Sequence, residues 1–271
     1  MKKLILILGL AMLIPVRASL AQVAAPNSMG VSMGHVHLMV QDVDAAKKFW
    51  TAMGGVQGKL GPNDVYKFPG VLILVRKGEP TAATPSVGSV VGHIGFHVPD
   101  TTAALARWKA AGLDTEVGQN PGQGFVWTPD KLIRVEILEE KTQTVPIAFH
   151  HVHFYVAEPA GASNVLEMQS WYVKMFGAKP GKRGQFDAAD LPGVNLTFTK
   201  SDTPTVPTKG RMLDHIGFEI VGLEAFCKKA EANGVKFDMP FTKRPDLGIS
   251  LAFMTDPWGT YIELNEGLDK L

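Results

Sequence analysis

Four segments of the sequence begin with the same pattern, and this repeat limits the fold more than any other feature. The segments are GHVHLMV from Gly34, GHIGFHV from Gly92, HHVHFYV from His150 and DHIGFEI from Asp214. Each alternates in polarity and is rich in aromatic and β-branched residues, as β-strands are. Each is followed by a stretch of helical periodicity that ends in glycine, and then by short extended segments. The sequence therefore predicts four units, each with a strand, a helix and further strands.

The four units also form a longer repeat. The segment FPGVLILVRKGEP from Phe68 corresponds to LPGVNLTFTKSDTP from Leu191, and each precedes an HIGF strand. We therefore predict a tandem duplication, with one module over residues 30–142 and a second over residues 148–268. A period of this length indicates paired domains rather than a solenoid.

The N-terminus has the pattern of a secretory signal. Lys2 and Lys3 precede an apolar run that is too short to span a bilayer, and small residues follow it up to Ala21. Residues 1–21 are therefore predicted to be cleaved, which would leave a periplasmic or secreted protein without a membrane partner; an uncleaved anchor is the alternative. Lys and Arg number 27 and Asp and Glu 26, so no excess of charge indicates nucleic acid as a partner.

All eight histidines of the chain lie in the four repeated first strands. Residues i and i+2 of a strand face the same side, so His35 shares a face with His37, and His151 shares one with His153. The opposite face of these strands is apolar, as expected where a helix covers it. The histidine face is therefore expected to line a cavity rather than a core.

A carboxylate accompanies the histidines at the end of the second and fourth units. Glu136 and Glu263 each lie in an apolar strand, where burial of a carboxylate is costly unless a cation or hydrogen bonds compensate it. Two histidines and one carboxylate per half would bind a divalent metal (zinc, nickel, manganese or iron) and leave coordination positions open. The second half is favoured, because its closing segment DPWGTYIEL is the better formed. The predicted ligand sets, one in each half, are His35, His93 and Glu136, and His151, His215 and Glu263.

The repeated units, the first-strand histidines in DHIGF and GHVHL, and the segment DPWGTYIEL resemble the vicinal oxygen chelate superfamily, which includes glyoxalase I, fosfomycin resistance proteins and extradiol dioxygenases. The resemblance covers nearly all of the chain after the predicted signal. It implies an α+β fold in which four βαβββ units pair into two tandem half-open barrel modules. By the pattern of the superfamily, each half would fold its own two units into one cupped barrel that holds the metal.

The resemblance also implies a function. We expect a metal-dependent enzyme of the glyoxalase type, a lyase or isomerase that acts on a small oxygen-chelating substrate, with Glu219 and His153 as candidate bases. Both residues are also compatible with a purely hydrogen-bonded role in the cavity. Two alternatives stay open: an iron-dependent extradiol-type dioxygenase, although ISLAFMTDPWG lacks the His and Tyr of that signature, and a binding protein that sequesters its ligand. A homodimer in which halves of two chains pair also stays open.

Overall fold

The computed structural model describes residues 23–79, 85–158 and 164–271. The predicted signal peptide, residues 1–21, lies outside this part of the chain. The order of elements is strand, helix and three strands, four times over, which confirms the predicted α+β fold of four βαβββ units. The strands are β1 (Val31–Val40), β2 (Val56–Leu60), β3 (Asn63–Phe68), β4 (Val71–Lys77), β5 (Val91–Val98), β6 (Asp114–Val117), β7 (Gln123–Trp127), β8 (Arg134–Glu139), β9 (Ala148–Ala157), β10 (Lys179–Arg183), β11 (Phe186–Leu191), β12 (Val194–Ser201), β13 (Leu213–Ile220), β14 (Phe237–Arg244), β15 (Ile249–Thr255) and β16 (Tyr261–Glu266).

One helix in each unit follows the first strand. The helices are α1 (Val43–Met53), α2 (Thr101–Ala110), α3 (Asn164–Phe176) and α4 (Leu223–Ala232). The side chains of Asp42 and Asp100 accept hydrogen bonds from the first turns of α1 and α2, so these helices begin where the sequence provides an N-cap. Gly54 ends α1 in the left-handed conformation that favours glycine. No helix among the described residues is long and apolar enough to cross a membrane.

The strands form two eight-stranded sheets, each built from two units. The sheet that we call terminal has the order β14-β15-β16-β13-β1-β4-β3-β2, so it combines the first unit with the fourth. The sheet that we call central has the order β10-β11-β12-β9-β5-β8-β7-β6 and combines the second unit with the third. The two-module architecture is as predicted, but the prediction that each half of the sequence closes its own module is wrong.

The pairing at the centre of each sheet explains this difference. Strand β1 pairs antiparallel with β13, and β5 pairs antiparallel with β9. All four first strands carry the same alternation of polar and apolar residues, so each can add to the edge of another with its apolar face on the same side. The polarity pattern alone allows the first strands to pair within one half of the sequence or between the halves. In the structure they pair between the halves.

The two faces of the central strands differ in polarity, as expected. Val36 of β1 and Phe218 of β13 belong to the main hydrophobic core together with Phe49 and Trp50 of α1. Burial of each such side chain stabilises the fold by about 1.5–3 kcal/mol. The helices therefore cover the apolar face of each sheet, and the opposite face carries the histidines.

Candidate metal centres

Four buried side chains of the terminal sheet converge on its concave, histidine-bearing face. His35 and His37 extend from β1, His215 extends from β13, and Glu263 extends from β16. Each offers one nitrogen or oxygen atom, and these atoms all lie within 4.8 Å of one another. We call this set the first cluster. Its position at the middle of the sheet follows from the register, because His37 pairs with His215 and Gly217 pairs with Glu263.

The carboxylate of Glu263 is the centre of the first cluster. Its Oε2 lies 2.8 Å from His215 Nε2 and 3.2 Å from His35 Nε2, while its Oε1 accepts a hydrogen bond of 2.8 Å from Asn265 Nδ2. Although burial opposes ionisation, the two imidazoles hold the pKa of Glu263 well below its usual range. The carboxylate is therefore ionised at neutral pH and available to a cation.

A second carboxylate orients His215 through the ring nitrogen that does not face Glu263. Asp214 Oδ1 lies 2.6 Å from His215 Nδ1, which places a proton on Nδ1 and directs Nε2 to Glu263. Burial opposes protonation of the ring, but hydrogen bonds to Asp214 and Glu263 raise the pKa of His215 to about 9. Asp214 and Glu263 therefore favour a positive charge where His215 Nε2 faces the carboxylate of Glu263.

His35 has an unsatisfied nitrogen in a fully buried position. Its Nδ1 makes no hydrogen bond among the described residues, its Nε2 contacts only Glu263 Oε2 at 3.2 Å, and burial lowers the pKa of the ring so that it stays neutral. His37 Nδ1 is likewise buried without a partner, and burial lowers the pKa of that ring too. Unpaired buried polar atoms are costly, so two neutral imidazoles facing an ionised carboxylate form a donor set that fits a divalent metal.

Gly217 makes room for His35. A Cβ atom added to Gly217 would lie 2.0 Å from Cε1 and 2.2 Å from Nδ1 of His35, far closer than any real contact. The imidazole of β1 therefore occupies the space where a side chain of β13 would stand. This contact gives the glycine in the DHIGF segment a physical role, since the His-x-Gly strand leaves space for the first histidine of the His-x-His strand.

The central sheet contains a second cluster with the same plan. His93 of β5, Glu136 of β8 and His151 with His153 of β9 place their ligand atoms within 4.8 Å of one another. Glu136 Oε2 lies 3.0 Å from His151 Nε2 and 3.3 Å from His93 Nε2. A Cβ atom on Gly95 would lie 2.0 Å from Cε1 of His151, which repeats the arrangement of Gly217 in the first cluster.

The two clusters differ in charge. In the second cluster the guanidinium of Arg183 lies 3.8 Å from Glu136 Oε2 and 3.4 Å from His153 Nδ1. The residue before His93 is Gly92, so the counterpart of Asp214 is missing. The first cluster therefore combines two carboxylates, while the second combines one carboxylate with an arginine.

The third and fourth units match a known protein family. Residues 148–264 match the family model described as the Glyoxalase/Bleomycin resistance protein/Dioxygenase superfamily. The chain therefore resembles this superfamily over its third and fourth units. The matched range runs from β9 into β16, and thus includes His215 and Glu263 of the first cluster and His151 and His153 of the second. No curated protein matches the sequence significantly.

Two solved structures share the architecture of this chain. Glyoxalase I from Zea mays superposes with a TM-score of 0.67 at 16% identity, over 89% of this chain and 94% of that chain. A protein of Bacillus subtilis assigned as a dioxygenase superposes with a TM-score of 0.62 at 14% identity, over 91% of this chain and 86% of that chain. At these identities the likeness establishes the common fold of two modules.

All six predicted ligands lie in the two clusters, but not in the predicted sets. The sheet topology joins His35 with His215 and Glu263, and it joins His93 and Glu136 with His151. The division of the ligands between the two halves of the sequence is therefore wrong, and so is the preference for a site within the second half alone. Each cluster takes residues from both halves because each sheet does.

His37 and His153 were not among the predicted ligands, yet each lies in a cluster. The signal was present in the sequence, because His-x-His places both rings on one face of a strand. His153, predicted as a candidate base, belongs to the second cluster, and its Nε2 lies 2.6 Å from Thr199 Oγ1. The structure does not test whether His153 acts as a base, so this role stays a prediction.

The other candidate base, Glu219, lies in neither cluster. Its carboxylate accepts hydrogen bonds from the backbone N–H of Gly267 at 2.6 Å and of Leu268 at 3.3 Å, at the start of the terminal 3-10 turn. Burial raises the pKa of Glu219 to about 7. Its contacts are those of a residue that fixes the C-terminal turn.

A cavity of about 550 Å³ opens beside the first cluster. His37, His215 and Glu263 form part of its wall, and most of the remaining wall is apolar. Leu60, Leu74, Ile249 and Leu251 belong to a small hydrophobic cluster on this side of the sheet. A separate cavity of about 220 Å³ beside α1 contains no residue of either cluster. The larger cavity gives the first cluster space for a small ligand.

Proposed function

We propose that this protein is a metal-dependent enzyme of the glyoxalase type, a lyase or isomerase that acts on a small oxygen-chelating substrate at the first cluster. The observation that carries the proposal is the convergence of the buried side chains of His35, His215 and Glu263, two of which, His215 and Glu263, line a cavity large enough for a small molecule. Such a cavity with a few convergent polar groups is typical of a ligand site.

The donor set supports a divalent metal at this position. His35, His215 and Glu263 would hold it, and Asp214 would fix the orientation of His215 through the bond to its Nδ1. Nitrogen and carboxylate donors suit zinc, nickel, manganese and iron(II). A bound metal would act as a Lewis acid that polarises a substrate oxygen and acidifies the adjacent C–H group.

The chain's own residues would then position the substrate and move a proton. His37 is the best-placed base, because it lines the cavity and its ring centroid lies 4.5 Å from that of His215. Burial lowers the pKa of His37 well below its usual value, so its imidazole is neutral and offers a free nitrogen lone pair at neutral pH. The leucines of the cavity wall make its surroundings apolar.

The charge difference between the clusters favours the first one as the metal centre. Glu136 already has a cation beside it in Arg183, so a divalent metal in the second cluster would lie close to a like charge. In the first cluster, neither Asp214 nor Glu263 forms an ion pair with a lysine or arginine of the described residues. A metal would therefore compensate two carboxylates there.

One observation favours a second candidate function. Two histidines and one carboxylate with open positions are also the ligands of iron(II) oxygenases, so an extradiol-type dioxygenase is the alternative reaction at the same site. The third function expected from the sequence, sequestration of a ligand without turnover, would use the same cavity without chemistry.

The test is the metal content of the purified protein and of two matched variants. Elemental mass spectrometry would be applied to the wild type, Glu263→Ala and Glu136→Ala. We expect a stoichiometric metal that is lost in Glu263→Ala and retained in Glu136→Ala, and exchange of an α-carbonyl proton with solvent deuterium that follows the metal. Iron with oxygen uptake on catechols would establish the dioxygenase instead. Absence of metal after reconstitution would refute both and leave the sequestering protein.

We further propose that the chain is exported, on the strength of residues 1–21 alone. Expression of the full chain and mass measurement of the product from the periplasm tests this. Loss of 21 residues is the expected result, and a full-length chain in the cytoplasm would contradict it.

A further inference from the structure

The cavity beside the first cluster contains a positive charge that has no partner among the described residues. Arg76 extends from β4 and lines this cavity, and among the described residues it makes no hydrogen bond or ion pair. Arg244 lines the same cavity but is bound to Asp246, at 2.7 Å and 3.0 Å through two of its nitrogens. Arg76 is thus the guanidinium of this cavity that is available to a ligand.

The register of the sheet places Arg76 within a short molecule's length of the first cluster. Strand β4 pairs in parallel with β1, so that Leu74 lies beside His37 and Arg76 lies beside Met39. Leu74 and Arg76 face the same side of β4, and two residues along a strand correspond to about 7 Å. A ligand held by Arg76 can therefore also reach the histidines, across a stretch of wall formed by leucines.

A neighbouring amide supports a polar ligand group at this end of the cavity. Strand β3 pairs antiparallel with β4, with Asp64 beside Val75, so Asn63 is the neighbour of Arg76. Asn63 lines the cavity, and its Oδ1 is buried with no hydrogen-bond partner in the part of the chain that the structure describes. Rotation of this amide would present its NH₂ group instead, so Asn63 can meet either an acceptor or a donor of a ligand.

We propose that the cavity takes small organic carboxylates: Arg76 binds a carboxylate at one end of the molecule, and the chelating oxygens at the other end face the first cluster. The inference rests on the proposed function, since it names the substrate class of that site. Arginine matches a carboxylate with two parallel hydrogen bonds. One carboxylate suits one guanidinium better than a phosphate dianion would, because Asp214 and Glu263 already bring negative charge to the cavity. The leucine wall suits a short aliphatic segment between the two ends.

The test compares two ligands that differ only at the end facing Arg76. Calorimetric titrations would use 2-oxoadipate and 2-oxohexanoate, which have six carbons and the same 2-oxo acid group, but end in a carboxylate and a methyl group respectively. The proteins would be the wild type, Arg76→Gln and the control Lys77→Gln, whose exposed side chain leaves β4 on the opposite face. We expect the wild type and Lys77→Gln to bind 2-oxoadipate about 10-fold to 100-fold more tightly than 2-oxohexanoate. We expect Arg76→Gln to lose this preference while its affinity for 2-oxohexanoate changes by less than about twofold.

The outcomes separate this inference from the proposed function. No preference in the wild type, or an equal preference in Arg76→Gln, would overturn the role of Arg76 even if the first cluster holds its metal. If the wild type takes up no metal and Arg76→Gln still loses the preference, the carboxylate site is upheld and the proposed enzyme is refuted. A loss shared by Lys77→Gln would mean a general effect of charge and would also overturn the inference.

Discussion

Replacement of Gly217 by alanine should remove the proposed metal without substituting any of its ligands. The added Cβ would lie 2.0 Å from Cε1, 2.2 Å from Nδ1 and 2.8 Å from Nε2 of His35. Ordinary contacts between carbon atoms are about 3.5–4.0 Å, so the imidazole must move by about 1.5–2 Å. Metal-ligand distances tolerate only about 0.2 Å, so His35 can no longer serve as a ligand. The backbone of Gly217 is not in the left-handed region, which leaves the steric clash as the cause.

The clash should also cost stability, by an amount typical of overpacking in a core. We expect Gly217→Ala to lower the free energy of unfolding of the metal-free protein by about 1–3 kcal/mol. Urea unfolding in the presence of a chelator measures this, and elemental mass spectrometry measures metal per chain. The metal should fall from stoichiometric to a trace, and activity should fall with it.

Gly95→Ala is the matched control, because its Cβ would meet His151 of the second cluster at the same 2.0 Å. It should show a similar loss of stability and keep its metal. A Gly217→Ala variant with the wild-type metal content would refute the reasoning, since His35 would then not be needed as a ligand. Loss of metal in both variants would mean that the assignment of the metal to the first cluster alone is wrong.

Three other predictions concern the second cluster and two structural contacts. Arg183→Gln removes the cation beside Glu136, so metal-loaded protein should approach two metals per chain by elemental analysis, and an unchanged content would contradict the charge argument. The pKa of Glu219 is raised to about 7, so its protonated form favours folding, and this contribution is lost as pH rises from about 4.5 to about 7. Urea unfolding at several pH values should therefore show up to about 3 kcal/mol less pH dependence in Glu219→Gln, and parallel curves would exclude the effect. Tyr172→Phe removes a buried hydrogen bond of 2.9 Å to Asp256 and should cost about 1–3 kcal/mol in urea unfolding without loss of metal, whereas an unchanged midpoint would show that the bond contributes nothing.

The sequence predicted the parts of this molecule that depend on local pattern. Alternation in the strands, helical periodicity and the glycines that end the helices are set by neighbouring residues, so the four units could be recognised. The ligands could be recognised for the same reason, because His35 and His215 occupy the same position of a repeated strand and Glu263 lies between Ile262 and Leu264.

The partners of the units could not be predicted in the same way. The strands that contain His35 and His151 have the His-x-His pattern, and those that contain His93 and His215 have the His-x-Gly pattern. Each cluster needs one strand of each kind, because the ring of one occupies the space beside the glycine of the other. Two pairings satisfy this requirement, one within the halves and one across them. The choice between these two pairings depends on contacts between residues that are far apart in the sequence, and a local sequence pattern does not determine such contacts.

The terminal sheet also determines when the proposed metal centre can exist during synthesis. The central sheet uses residues 91–201, a continuous stretch that can fold once it has left the ribosome. Strand β1 is made before the central sheet, but β13, its antiparallel neighbour, and β16, which carries Glu263, are made after it. Until then β1 lacks its antiparallel neighbour and keeps an open edge. A chain interrupted before β13 would contain the strands of the central sheet and no first cluster, so the site can form only after β16 has been synthesised.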